Sequence, residues 1–270
     1  MGVAKSRPPI KKRKGSWNQG VGADSAPHAG TMERLNKFLA RAGAGSRRRA
    51  EQLIRERRVS LNGRVVEDPA VRVDPEKDHV RIDGRPVSAP SSRIYLVYHK
   101  PRNVVSTMED PQGRPCVGDV LRKFKGNPVP AGRLDFDAEG LLLCTNDGDL
   151  IQRLLHPRYH IQRIYRVKVK GLPESRALEK IEQGMFLDGA RTIPARVRII
   201  KRGAKNSWLS LILYEGRNQQ VKRMLEKLGH PVLKLKRVGF GPLRITGIPP
   251  GAYRKLSPSE VLKLKESLGD

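Results

Sequence analysis

Between Arg34 and Ala42 the apolar positions fall at Leu35, Phe38, Leu39 and Ala42, the spacing of an amphipathic helix that Gly43 and Gly45 end. Ser46 is placed to cap a second helix with Ala50, Leu53 and Ile54 as its apolar stripe. Val59 to Val66 alternates around Asn62-Gly63, a strong hairpin signal, and Val71–Val73 and His79–Ile82 read as short strands before Asp83-Gly84. After a linker over Pro86 to Ser92, Ile94–Tyr98 reads as a buried strand running into His99-Lys100-Pro101. A short helix follows at Val117–Phe124, a strand at Leu141–Cys144 between Gly140 and Asn146-Asp147-Gly148, and a helix at Asp149–Leu155. Ile164 to Lys170 alternates strictly, which puts Tyr165, Val167 and Val169 on one face and Arg166, Lys168 and Lys170 on the other. Beyond it the pattern gives a helix at 174–185, strands at 196–201 and 208–214, a helix from the turn at Glu215-Gly216-Arg217 to about Leu228, and a strand at 231–238. Strands without regular βαβ alternation predict an α+β domain on a mixed, mainly antiparallel sheet, behind a small αα-hairpin module.

Charge changes this picture more than composition does. The 270 residues carry 54 Lys and Arg against 27 Asp and Glu, a net +27, which points to a polyanionic partner, with nucleic acid first. No apolar run is long enough to span a membrane, no signal-peptide pattern or lipidation motif is present, and Cys116 and Cys144 form neither a CxxC pair nor a disulfide framework. A cytoplasmic protein is expected. Residues 1–31 read as a disordered basic tail. Residues 32–64 hold ten basic residues against three acids, and at 100° per residue Arg47, Arg48, Arg55 and Arg58 share one face. That ridge is expected to grip phosphates.

The chemistry is expected in the loop Gly132-Arg133-Leu134-Asp135-Phe136-Asp137-Ala138-Glu139, at the mouth of a buried strand, where a rigid scaffold can hold a carboxylate as nucleophile or base.

Two resemblances attach to these residues. Arg34-Leu35-Asn36-Lys37-Phe38-Leu39, Gly45-Ser46-Arg47-Arg48 and Val59-Ser60-Leu61-Asn62-Gly63 resemble an S4-type RNA-binding domain over about 32–84, which implies recognition of folded RNA by its two helices. His99-Lys100-Pro101, Gly132-Arg133-Leu134-Asp135, Glu139-Gly140-Leu141-Leu142-Leu143, Thr145-Asn146-Asp147-Gly148, Tyr165 and Glu215-Gly216-Arg217-Asn218-Gln219-Gln220-Val221-Lys222-Arg223-Met224 resemble the pseudouridine synthases of bacterial ribosomal RNA, over about 93–250.

With the tail at 1–31, the two resemblances divide the chain into an S4 module with linker at 32–92 and a catalytic domain at 93–270. The second resemblance implies that Asp135 acts on a flipped-out uridine as nucleophile or base, with no cofactor or metal. Arg217 is expected to supply the opposing charge, Tyr165 to lie against the uracil, and Arg133 to hold the space the nucleotide leaves. Arg34, Lys37, Arg47, Arg48, Arg55, Arg58, Lys100, Lys222 and Arg223 are the expected RNA contacts. The chain departs from the family at Arg102-Asn103, where a glycine is common, and at Ala138, where a hydroxyl residue is common. The start of the second helix and the extended tail resemble the 23S rRNA enzymes more than the 16S one, so the expected partner is 23S rRNA or an assembling subunit, bound by a monomer. The rival readings are a Mg²⁺ nuclease using Asp135, Asp137 and Glu139, a glycosidase, and a non-enzymatic assembly factor.

Overall fold

The computed structural model describes residues 32–90 and 92–269, so the expected tail lies outside the described residues. Helices Leu35–Arg41 and Arg47–Arg55 pack on a small four-stranded sheet, and Leu35, Phe38, Leu39, Ala50, Leu53, Ile54, Val59, Val73 and Val80 close one core between them. Ser46 caps the second helix as expected, its hydroxyl accepting from the Arg49 amide at 3.1 Å. Asn62 and Gly63 both take positive φ, 51° and 83°, the backbone that a two-residue hairpin turn requires.

Two expectations change here. The second helix ends at Arg55, and Arg57 turns to φ 60°, so Arg58 leaves the helical face and its guanidinium pairs instead with Asp83, at 2.7 and 2.9 Å. Pro86, read as the start of the linker, lies in strand Arg85–Val87, paired with Val80–Ile82. That strand is the sheet edge, where a residue without an N–H is tolerated.

A nine-stranded sheet forms the second part. Across it run Arg196–Arg202, Asn206–Leu213, Arg163–Lys170, Val232–Phe240, Glu139–Thr145, Tyr95–Lys100 and Tyr253–Lys255, with two short strands paired off this path. Its strands pair antiparallel except where Val232–Phe240 meets Glu139–Thr145, through Lys236 opposite Glu139 and Arg237 opposite Gly140. The mixed, mainly antiparallel sheet is thus as expected. The parallel seam divides it into halves with different coverage. Strands Tyr95–Lys100 and Glu139–Thr145 are packed on both faces, by the clusters around Leu141 and Leu143 and around Leu96 and Leu142. Among the described residues the other half is packed chiefly on one face, where Tyr165, Val167, Val169, Leu209 and Leu211 meet Ile181 of helix Ser175–Gln183 and Val221, Met224 and Leu225 of helix Gln220–Lys227.

Gly140 makes the seam possible. Its φ is 129°, and a Cβ there would stand 2.2 Å from the Arg237 carbonyl oxygen. Gly140→Ala therefore has to break the two-residue parallel pairing or strain the backbone, and is expected to cost about 3 kcal/mol of stability, read as a fall in Tm. A variant that melts with the parent would mean the seam tolerates the separation.

Candidate active site

The loop carrying Asp135 is pinned from several directions before any substrate arrives. Ser106, buried, donates to the Leu134 carbonyl at 2.7 Å and accepts from the Leu134 amide at 3.1 Å. The Asn103 amide donates to the Phe136 carbonyl at 2.7 Å, and the Arg102 guanidinium to the Asp137 carbonyl at 3.0 Å. Asn103 holds φ 61°, a left-handed backbone that an asparagine side chain tolerates.

Lys100 completes the anchorage, and this corrects its expected role. It is wholly buried, and its ammonium donates to the carbonyls of Val104 at 2.7 Å, Pro101 at 2.9 Å and Phe136 at 3.4 Å. A side chain so enclosed has no access to a phosphate; it clamps the loop from beneath. Burial pushes its ammonium from the usual 10.5 down to about 8, with Asp135 and Asp137 pulling the other way. Because the folded value lies below the unfolded one, the penalty for the charged form is full below pH 8 and lifts as the pH climbs towards 10.5. The Tm of the wild type relative to Lys100→Met is therefore expected to rise between about pH 7 and pH 10. A flat difference would mean that the three carbonyls keep the ammonium protonated.

Above the clamp, Asp135, Arg133 and Tyr165 line one cavity of about 290 Å³ together with Ala138, Arg163, Glu215, Arg217, Gln219 and Arg237. Tyr165 is 8% exposed, and its hydroxyl makes no hydrogen bond among the described residues, so the phenol is left to the cavity. Arg133 is exposed at the rim, also without a side-chain partner among the described residues.

The opposing charge is not where the sequence put it. Arg217 lines the cavity, but its guanidinium donates to Glu215 at 3.0 Å and to the carbonyls of Leu187, Ala190 and Arg191. Glu215, buried, also accepts from the Ile193 amide at 3.0 Å and the Gln220 amide group at 2.8 Å. The Glu215–Gln220 motif therefore ties the turn to the hairpin of Phe186–Leu187 and Ala190–Arg191. The cation at Asp135 is Lys222, in the first turn of helix Gln220–Lys227, with its ammonium 3.3 Å from Asp135 Oδ2 and 2.5 Å from Asp137 Oδ1. Burial opposes charge on both Asp137 and Lys222, yet their hydrogen bond and mutual attraction prevail, holding the carboxyl below and the ammonium above its ordinary value.

The carboxylates that suggested a Mg²⁺ site are accounted for by protein cations. Asp135 and Asp137 share Lys222, while Glu139 turns away to Lys236 at 3.0 Å. No group of three or more metal-ligating side chains occurs among the described residues.

Two further residues went unread in the sequence. Arg163 and Arg237 are 5% and 3% exposed on the cavity floor, each donating at 2.8 Å to one carbonyl, that of Ile161 and of Leu141. Both guanidinium groups lie over the Phe240 ring, at 5.5 and 5.3 Å. Arg163 falls on the inward side of the Tyr165 alternation, and that inward position was the available signal.

Of the expected RNA contacts in the first module, Arg34, Arg47, Arg48 and Arg55 are exposed with no side-chain partner among the described residues. Lys37 instead reaches Asp149 at 2.6 Å, joining the two parts of the chain, and Arg223 is held by Asp188.

Residues 94–227 match the RNA pseudouridylate synthase family, and residues 33–78 match the S4 domain. The chain is 42% identical over 236 residues to the ribosomal large subunit pseudouridine synthase B of Bacillus subtilis, covering 87% of this chain and 96% of that one. It is 39% identical over 237 residues to an uncharacterized RNA pseudouridine synthase of Aquifex aeolicus, covering 87% and 95%. A crystal structure of a pseudouridylate synthase, 30% identical, superposes with a TM-score of 0.61 over 86% of this chain and 99% of that one. With a family match that spans the Asp135 loop, the Tyr165 strand and the Lys222 helix, and 42% identity over most of both chains, the chain belongs to the RNA pseudouridylate synthase family.

Proposed function

We propose that this pseudouridine synthase acts on a single uridine of 23S rRNA, as a monomer in the cytoplasm, with residues 32–92 as the RNA-binding module and 93–270 as the catalytic domain. The observation that carries the reading is the Asp135 carboxylate held beside Lys222 in a cavity that Tyr165 and Arg133 also line. A volume of about 290 Å³ suits one nucleotide turned out of its helix rather than a longer stretch. Asp135 acts at the ribose, as nucleophile or base, so that the N1–C1′ bond breaks. The uracil turns, C5 bonds to C1′, the C5 proton leaves and N1 takes one up. Tyr165 lies against the ring and assists that proton transfer, while Arg133 occupies the place the nucleotide vacated. The cavity lining carries Arg133, Arg163, Arg217 and Arg237 against Asp135 and Glu215, a balance that favours a phosphate-bearing ligand.

The 23S assignment is supported by the name of the Bacillus subtilis relative, a large subunit synthase. Among the described residues no helix is long and apolar enough to cross a membrane, and Cys116 and Cys144 are buried free thiols, as a reducing compartment allows. The test is carbodiimide-stopped primer extension on 23S and 16S rRNA after incubation with the protein or with Asp135→Asn. A stop in 23S rRNA absent with the variant is expected; a stop in 16S rRNA would replace the target, and none in either would remove rRNA as substrate.

The S4 module gives a separate prediction. Arg47, Arg48 and Arg55 project from one helix without partners among the described residues. Converting all three to glutamine is expected to flatten the dependence of log K on log salt by about 2 to 3, with about tenfold or greater loss of rRNA affinity at moderate salt. An unchanged slope would take the ridge out of the interface.

A further inference from the structure

We propose that the uncovered face of the central sheet is a second RNA-binding surface, which takes the sugar–phosphate backbone of a helix flanking the modified site. Where the half of the sheet that carries Tyr165 on its packed side passes through Arg166 and Lys168, no hydrophobic cluster covers its other side among the described residues; one reaches that side only at its end, through Val238. Period two brings the intervening residues of four strands to that side, and the register lines them into rows. One row runs Arg198, Ser210, Arg166, Lys236; the next runs Lys201, Trp208, Lys168, Lys234. Arg166 therefore sits directly opposite Lys236, and Lys168 opposite Lys234. Like charges at directly opposed positions destabilise a sheet, so the free protein carries an arrangement that folding alone disfavours.

Among the described residues Glu139 alone answers it, through Lys236. Arg166, Arg198, Lys201 and Lys234 are exposed and Lys168 is half-buried, and their side chains make no ion pair or hydrogen bond among the described residues. Two adjoining depressions of about 510 and 670 Å³ follow the rows, sharing Arg166, Ile200 and Lys236. Glu139 is the one carboxylate lining either among the described residues, and Lys236 already holds it at 3.0 Å. Half-buried Trp208 lies between Lys168 and Lys201, beside Ile200, which is 48% exposed. A basic face with an indole at its centre fits a nucleic-acid strand, phosphates on the cations and a ribose or base edge on the ring. Four strands at their usual spacing extend about 15 Å, which suits a run of backbone rather than one base.

The identity of the polyanion rests on the RNA-modifying reading above, but the surface lies on the opposite side of the sheet from Tyr165 and must meet a different segment of the RNA. The probe is an in vitro transcript of 23S rRNA, and the protein is the full chain carrying Asp135→Asn to prevent turnover. Adding Trp17→Phe leaves Trp208 as the single tryptophan. Docking is expected to change Trp208 emission and protect it from acrylamide. Arg166→Gln, Lys168→Gln, Arg198→Gln and Lys234→Gln combined are expected to lower affinity ten- to a hundredfold and flatten the salt slope by about 3. Their Tm should hold or rise, since opposed like charges are removed, and the Trp208 reading does not depend on them at all.

An unchanged slope with unmoved Trp208 emission overturns the proposal and leaves the face to an acidic protein. Pseudouridine formation by the wild-type protein is scored on the same transcript. Turnover with an unchanged slope sinks the surface and keeps the substrate reading, whereas a flattened slope without pseudouridine keeps the surface and sinks that reading.

Discussion

Replacing Asp135 with asparagine is expected to lower turnover at least about a thousandfold while leaving RNA affinity within about twofold of the parent. The two side chains have nearly the same shape, and the loop is held by its backbone, through Ser106 at Leu134 and through Asn103 at Phe136, none of which touches the carboxylate. Lys222 keeps its 2.5 Å contact with Asp137, so no buried cation is left unpaired. What disappears is the anionic oxygen, and an amide can neither attack C1′ nor take a proton from the ribose. Single-turnover release of the C5 proton from labelled RNA measures the loss without interference from product release. An asparagine variant that turned over near the wild-type rate would remove Asp135 from the reaction and return the site to a binding role.

Elements whose residues interact with near neighbours were legible. The i, i+3, i+4, i+7 spacing of Leu35, Phe38, Leu39 and Ala42 became a helix, and the alternation around Tyr165 became a strand with one buried face. The Asp135 loop was legible for another reason: several ordered motifs matched a family, and the loop lines one cavity with Tyr165 and Arg217, residues of the same motifs. Failures came where distant chain decides the environment. Lys100 ends a strand buried on both faces, so alternation gives no hint of its side, and only folding brings the Val104 and Phe136 carbonyls to it. Arg58 was counted as helical because a helical wheel does not register the left-handed turn at Arg57. The helix Pro258–Glu266 shows the opposite case, a local signal left unread, since Ser257 and Glu260 form a complete capping box. Arg217 and Lys222 were the hardest to tell apart. Both are basic and near the same turn, and the choice between them rests on the contact of Lys222 with Asp135, far away in sequence.

That choice has the second large consequence. Lys222→Met is expected to reduce kcat about a hundred- to a thousandfold with a much smaller change in RNA affinity, because the lost ammonium is the cation within 4 Å of Asp135 among the described residues. Without it Asp137 loses the hydrogen bond and the attraction that hold its carboxyl below the ordinary value, and takes up a proton more readily. The acidic limb of the pH–rate profile is accordingly expected to move to higher pH. Lys222→Arg, which keeps the charge but not its compact geometry, should recover part of the rate and restore the position of the limb. Asp137→Asn supplies the control: it removes the other partner of Lys222, leaves the 3.3 Å contact to Asp135, and should cost far less. If Lys222 were instead a phosphate contact, Lys222→Met would weaken binding and lower the salt slope by about 1 while kcat and the pH profile stayed in place. The two readings thus differ in kcat, in pH dependence and in salt dependence at once, and the ion pair in the cleft predicts the first pattern.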